Sequence, residues 1–226
     1  MVVFAKEPRA GLVKTRLVPP LSPELAAGLY AAMLDDVLET TAAAAPELGL
    51  EPVLAVHPAN AAASMAARAP AAYRVIAQCG EDLGARMAHA VAEAAAGGFD
   101  PILLRGSDSP AVPAQTLRDA VEELSEADLV VSPDRDGGYN LVGVHRPIAG
   151  LFSHKMSVTS TLDELLQHAA RRNLRAERLA AGFDVDTIGD LAALSAARSE
   201  RPSISCPRTL AFLDDHELWR HVPGGS

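Results

Sequence analysis

Four stretches of this sequence carry side chains that could do chemistry. The first, "AKEPRAGLVKTRL" from Ala5 to Leu17, gathers Lys6, Arg9, Lys14 and Arg16 in a chain whose formal net charge is -9. A cationic loop that follows a strand and precedes a helix offers ammonium, guanidinium and free backbone N–H groups to a phosphate. Gly11 lets the backbone come close to a ligand, and an extended segment would point Lys14 and Arg16 the same way. The second, "PILLRGSDSPAVP", runs an apolar strand into Asp108. A carboxylate there suits a hard cation such as Mg²⁺ or Mn²⁺, and equally suits the cap of the next helix. The third, "SPDRDGGYNLVGV", sets Gly137 and Gly138 before a strand, as a tight hairpin or as a place where backbone approaches a sugar or base. The fourth, "GFDVDTIGDL", spaces Asp184 and Asp186 two apart ahead of Thr187 and Asp190. On an extended segment the pair shares a side and fits a metal or a metal-bound phosphate, while Asp186 and Thr187 could instead cap a helix.

Other chemistries fail on spacing. "GLVKT" lacks the first glycine and the Gly-Lys pair of a P-loop, and no G-x-G-x-x-G follows an expected strand. The seven histidines show no zinc-type pair, Ser109 lacks the elbow of a serine hydrolase, and Cys79 and Cys206 have no metal spacing. Both cysteines are expected to be reduced and structural.

The elements that must position these residues follow from periodicity. Short β-rich runs alternate with longer Ala/Leu-rich ones, the signature of an α/β sheet with helices on both faces. Strands are expected at Val2 to Ala5, Pro52 to His57, Tyr73 to Gln78, Pro101 to Arg105, Asp128 to Ser132, Asn140 to His145 and Leu174 to Leu179. Several are nearly all apolar, as parallel strands covered on both faces should be. Helices are expected from Ser22, as cap, to about Ala45; from Glu81 to Ala96, stopped by Gly97-Gly98; after "SPAVPAQTL"; from Ser160 to Arg172; from Asp186 or Thr187; and within "CPRTLAFLDDHELW". At 226 residues the length favours one domain, residues 1–202, with 203–226 a tail packing back on it. With 49% apolar and 4% aromatic residues, the core should rest on Ala, Leu and Val. The negative charge argues against nucleic acid and acidic membranes, and no apolar run approaches the roughly 20 residues that span a bilayer. A cytoplasmic protein is expected, with no membrane partner and an oligomeric state that the sequence leaves open.

Taken in order, "FAKEPRAGLVKTRL", "GEDLGARM", "GSDSP", "DGGYNLVG" and "FDVDT" resemble a bacterial family of GT-A-like transferases, the radical-SAM/selenodomain-associated glycosyltransferases, over Val2 to Leu191. The scheme is also similar to the 2-phospholactate and molybdenum-cofactor guanylyltransferases. The resemblance implies a single-domain GT-A-like fold, mostly parallel, and a metal-dependent transferase that takes a nucleoside triphosphate or nucleotide-sugar and a small acceptor. Lys14, Arg16 and Asp108 would be its catalytic residues. Lys6, Gly11, Lys14, Thr15, Arg16, Arg86, Gly137 and Gly138 would contact nucleotide or phosphate, and Asp108 and Asp186 would hold Mg²⁺ or Mn²⁺. The chain departs from the cofactor nucleotidyltransferases in having only Gly11 in its first loop, and from typical GT-A enzymes in having Asp108-Ser109-Pro110 where they carry two carboxylates. Nucleotidyl transfer with pyrophosphate release is the favoured reaction; glycosyl transfer and a non-catalytic nucleotide-binding module are the alternatives.

Overall fold

The computed structural model describes residues 1–156, 158–200 and 206–222. Its seven strands are β1 (Val2–Lys6), β2 (Val53–His57), β3 (Arg74–Ala77), β4 (Ile102–Gly106), β5 (Leu129–Pro133), β6 (Tyr139–Val144) and β7 (Ala176–Arg178). They form one sheet in the order β3-β2-β1-β4-β6-β5-β7. Every neighbouring pair is parallel except β6, which runs antiparallel to both β4 and β5. The α/β class and the mostly parallel sheet are those expected. The reversal of β6 places its first residues, Tyr139 and Asn140, at the edge where the parallel strands end.

Seven helices accompany the strands: α1 (Pro23–Ala44), α2 (Ala62–Arg68), α3 (Leu83–Ala96), α4 (Ala114–Glu123), α5 (Thr161–Ala170), α6 (Ile188–Glu200) and α7 (Pro207–Asp215). Alternation along the strands divides the core between the two faces of the sheet. Val2, Val53, Leu104, Val131 and Val142 pack with Met87 and Val91 of α3 and Leu162 and Leu165 of α5. Val3, Ala5, Leu54 and Val56 turn to the other face, against Leu34, Val37 and Leu38 of α1 and Met65 of α2. On that face Leu103, Val130 and Leu141 also meet Leu117 and Ala120 of α4. No described helix is long and apolar enough to cross a membrane.

Helix starts follow the capping rules. Ser22 accepts a hydrogen bond from Leu25 N with Pro23 in the first turn, and Asp82 accepts one from Ala85 N. Helix α2 was not expected from the sequence: Ala61 stands at its cap with no side-chain hydrogen bond, so no polar signal marks its start. The expected tail is described from Cys206 to Val222 only, so 203–205 and 223–226 lie outside the described residues. There Asp36 of α1 accepts hydrogen bonds from Arg208 N, Thr209 N and Thr209 Oγ1, capping α7 from another helix. Cys206 is buried, as a structural cysteine should be, whereas Cys79 is exposed and packs into no core.

Candidate functional site

The ends of β1, β2 and β4 open into a broad cleft of about 550 Å³. Its walls bring together Lys6, Lys14, Thr15, Arg16, Arg86, Asp108, Gly138 and Asp186, which the sequence spreads over more than 170 positions. A cleft outside the carboxyl ends of the strands is where an open α/β sheet takes its ligands.

The basic loop is not extended. Lys14 adopts a left-handed backbone (φ 47, ψ 38), and Thr15–Leu17 wind into a 3₁₀ turn whose Leu17 is buried. The turn tucks Lys14 inward, leaving its side chain 5% exposed while Arg16 is 66% exposed. The two still meet on one partner: Lys14 Nζ pairs closely with Asp186 and lies 3.3 Å from Asp108 Oδ2, and Arg16 Nη1 lies 3.4 Å from Asp186 Oδ2. Burial lowers the proton affinity of the Lys14 ammonium, but Asp108 and Asp186 more than offset this and hold it above the usual lysine range. Lys14 is therefore a permanent cation between two carboxylates.

Backbone and buried polar groups fix that geometry. Arg105, fully buried, donates to Thr41 Oγ1 at 3.2 Å and to the Ser109 carbonyl at 3.3 Å, bracing the turn that carries Asp108. Val185 N donates to the Asp108 carbonyl at 3.0 Å, tying this turn to the late acidic segment. Asp190, not Asp186, is the helix-start acceptor: its Oδ2 receives Asp186 N, Thr187 N and Thr187 Oγ1. The Asp186 carboxylate is thus left to face the cleft. Tyr30 joins three elements through its phenol, which accepts from Lys6 N at 2.9 Å and lies 2.7 Å from Ser107 Oγ.

Asp184 faces a different environment from Asp186. It hydrogen-bonds closely with Ser109 Oγ and is pushed up to about 10, first by burial and then by the charges of Asp108 and Asp134. Asp134 faces it and is raised as well by burial, so a proton held between the two acids relieves repulsion among the surrounding carboxylates.

Two expected contacts are elsewhere. Gly11 and Gly137 do not line the cleft. Gly11 serves the turn of an exposed loop at φ +76, and Gly137, at φ +88, packs so tightly on the Thr159 backbone that a side chain would collide with it. The segment 134–138 is the hairpin between β5 and β6. Tyr30, His57, Gln78, Arg105, Ser107 and Asn140 also line the cleft and were not expected there. Tyr30 sits on a helix face with no such signal, whereas His57, Gln78, Arg105, Ser107 and Asn140 lie at or beside strand ends, a position that could have flagged them from sequence.

The Asp108 and Asp186 carboxylates converge on one point that already holds a positive nitrogen. Mg²⁺ is commonly bound by one or two carboxylates together with substrate phosphates and water, which these two residues would allow. No group of three ligating side chains is found among the described residues, so a closed protein cage is not what the site offers.

A family model described as "Uncharacterized protein conserved in bacteria (DUF2064)" matches residues 40–161. Among solved structures, a candidate nucleotide-diphospho-sugar transferase from Desulfovibrio desulfuricans G20 is 28% identical, with a TM-score of 0.83 over 95% of this chain and 94% of that one. A cytidylyltransferase from Leptospira borgpetersenii serovar Hardjo-bovis superposes at TM-score 0.56 with 12% identity, covering 100% of this chain and 96% of its own. A 4-diphosphocytidyl-2C-methyl-D-erythritol synthase from Anaerococcus prevotii DSM 20548 superposes at 0.53 with 12% identity, covering 88% and 96%. These likenesses establish the nucleotide-diphospho-sugar transferase fold. A search of curated proteins finds no match.

Proposed function

The chain belongs to the DUF2064 family of bacterial proteins, and on that premise we propose that it is a nucleotide-utilising transferase that moves a nucleotidyl group from a nucleoside triphosphate to a small acceptor. One observation carries the reading: the buried Lys14 ammonium, held between Asp108 and Asp186 in a wide cleft at the strand ends. The name of the Leptospira cytidylyltransferase, which shares the fold, supports it.

In this reaction an acceptor oxygen forms a bond to the α-phosphorus, the bond from that phosphorus to the bridging oxygen breaks, and pyrophosphate leaves with the electron pair. The acceptor's proton passes to solvent. Lys14 and Arg16 contact the phosphate oxygens on which charge develops; Lys14, 5% exposed, does so from a water-excluded place where such a contact is strongest, and Arg16, 66% exposed, from the rim. Asp108 and Asp186 would hold Mg²⁺ or Mn²⁺, which supplies further charge neutralisation when bound. Arg105 and Asp190 act through position, the first holding the Asp108 turn and the second freeing the Asp186 carboxylate. No covalent nucleophile is needed, because orientation and charge account for the rate.

Glycosyl transfer is the second reading, favoured by the name of the 28% identical Desulfovibrio protein. A thermal-shift panel separates the two. The chain is heated with GTP, CTP, ATP, UTP or a nucleotide-sugar, with and without Mg²⁺. A ligand at about 100 times its dissociation constant adds about 2.7 kcal/mol of stability, a clear rise in melting temperature. A metal-dependent rise with one triphosphate, with pyrophosphate released on turnover, supports nucleotidyl transfer. A rise with nucleotide-sugars alone assigns glycosyl transfer, and no rise with any of them overturns both.

A further inference from the structure

The cleft has a second concentration of positive charge, and its chemistry differs from that around Lys14. Lys6 and His57 are register partners at the carboxyl ends of the paired strands β1 and β2, so they stand side by side on one edge. Arg86, on the first turn of α3, faces the same cleft and anchors its Nε on the Gly80 carbonyl at 3.0 Å, which leaves both terminal nitrogens free of that bond. Gln78 laces the edge together: its side-chain amide donates to the Ala5 carbonyl at 3.2 Å and to the Ala55 carbonyl at 2.9 Å, the residues before Lys6 and two before His57. Glu7 N donates to the His57 carbonyl at 3.2 Å and adds a further tie. His57 lies below the ordinary histidine range, through burial and then through the nearby Arg86 and Lys6 charges, so the three groups share one neighbourhood.

What separates this edge from the Lys14 end is neutralisation. Lys14 and Arg16 both pair with carboxylates, whereas among the described residues Lys6, His57 and Arg86 form no ion pair. The acidic groups nearest in sequence are otherwise engaged or outward: Glu7 meets Ser64 and Arg9, Asp82 caps α3, and Glu81 is exposed. In a protein of net charge -9, a cleft edge with two unpaired cations and a histidine donor is a local excess of positive charge that attracts an anion.

We propose that Lys6, His57 and Arg86 form a phosphate-binding subsite, distinguished from the Lys14–Asp108–Asp186 cluster by its lack of carboxylate partners and taking a phosphate group without a metal ion. Arg86 offers a planar fork to two phosphate oxygens, Lys6 a point charge, and neutral His57 one ring N–H. The phosphate can come from either of two sources, the far end of a triphosphate donor or the acceptor itself. The assignment rests on the cleft and not on the transfer reaction proposed for it.

The test is titration of inorganic phosphate into the metal-free protein at low ionic strength, followed by calorimetry, for the wild type and for Lys6→Gln and Arg86→Gln. Both altered side chains lie at the cleft surface, and matched melting temperatures check that the variants are folded. The expected result is phosphate binding by the wild type that weakens at least about tenfold in each variant, the loss of one charge-assisted contact worth about 1.5 to 3 kcal/mol. If the wild type binds no phosphate at 10-millimolar levels, taken as about the weakest useful affinity, or the variants bind as tightly as the wild type, the subsite is refuted. Repeating the titration with a saturating triphosphate and Mg²⁺ names the source. Phosphate excluded by the triphosphate assigns the subsite to the donor, and phosphate still bound beside it assigns the subsite to the acceptor. Because the first titration needs neither nucleotide nor turnover, a chain that binds no triphosphate can still show the subsite, and one that transfers nucleotides can still lack it.

Discussion

The two ends of the cleft hold similar side chains in opposite electrostatic states. Beside β4 the two cations of the basic loop each have a carboxylate: Lys14 lies between Asp108 and Asp186, and Arg16 leans on Asp186. At the β2 end Lys6, His57 and Arg86 crowd together without one. The first arrangement is stable without ligand, and an incoming phosphate must compete with carboxylates for Lys14. The second arrangement repels itself and is relieved by any anion that arrives. Charge count alone would make these sites equivalent; what each charge already touches suits the first to the proposed reaction and the second to the proposed phosphate landing.

The contrast breaks most easily at Lys14. Replacing it by Ala removes a preorganised charge and leaves two carboxylates facing each other, so turnover should fall about 100- to 1,000-fold, or about 2.7 to 4 kcal/mol of barrier. Arg86→Gln should instead raise KM with little change in kcat, since a contact made equally in ground and transition states affects binding alone. Equal kcat losses in the two variants, measured under the same assay, would erase the distinction between the ends.

A smaller effect concerns Asp184, the proton-bearing acid behind the reaction centre. Its pKa is raised on folding, so its contribution to stability is full below about pH 4, the ordinary carboxyl range, and is lost progressively as pH rises toward about 10. Between pH 6 and 8 the wild type should therefore lose up to about 1.4 kcal/mol of stability per pH unit through this group, and Asp184→Asn should be less steep. Urea denaturation at pH 6, 7 and 8 with a chelator present reads the slopes, and identical slopes mean that Asp184 ionises normally. Comparable in size is Tyr30→Phe, which leaves Lys6 N and Ser107 Oγ without their partner. It should cost about 1 to 3 kcal/mol in the same denaturation experiment. Arg16→Ala, at a side chain 66% exposed, should be the mildest, weakening triphosphate binding by less than about tenfold because water screens the contact.

The sequence made the scaffold legible and the wiring only partly so. All seven strands are found within a residue or two of where apolar runs and turn residues put them, because strand propensity and burial agree there. Ser22 and Gly97 marked helix ends for the same local reasons. Helix α2 escaped notice because its Ala-rich stretch has no cap to announce it and depends on Met65 docking under the sheet. At the site, strand-end logic brought Lys6, Lys14, Asp108 and Asp186 to one cleft, but the left-handed turn at Lys14 is a compromise between the buried Leu17 and the two carboxylates. That compromise is settled by tertiary contacts and leaves no local signal. Asp190 shows the same limit: it lies in a plain helix-start pattern, yet only the fold reveals that it caps in place of Asp186.

The reversed strand β6 carries a consequence for how this architecture can diversify. The chain leaves the sheet after Pro133 and re-enters at Tyr139, so residues 134–138 form a jaw beside the cleft, held to the start of α5 by Leu162 N donating to the Gly137 carbonyl and to the late acidic segment by Arg135 stacked over Phe183. Lengthening or replacing that jaw would leave the parallel half of the sheet, with its charged ends, in register. A single inverted strand thus gives the fold a point of variation, where a change of loop leaves the paired parallel strands and the charged groups at their ends in place.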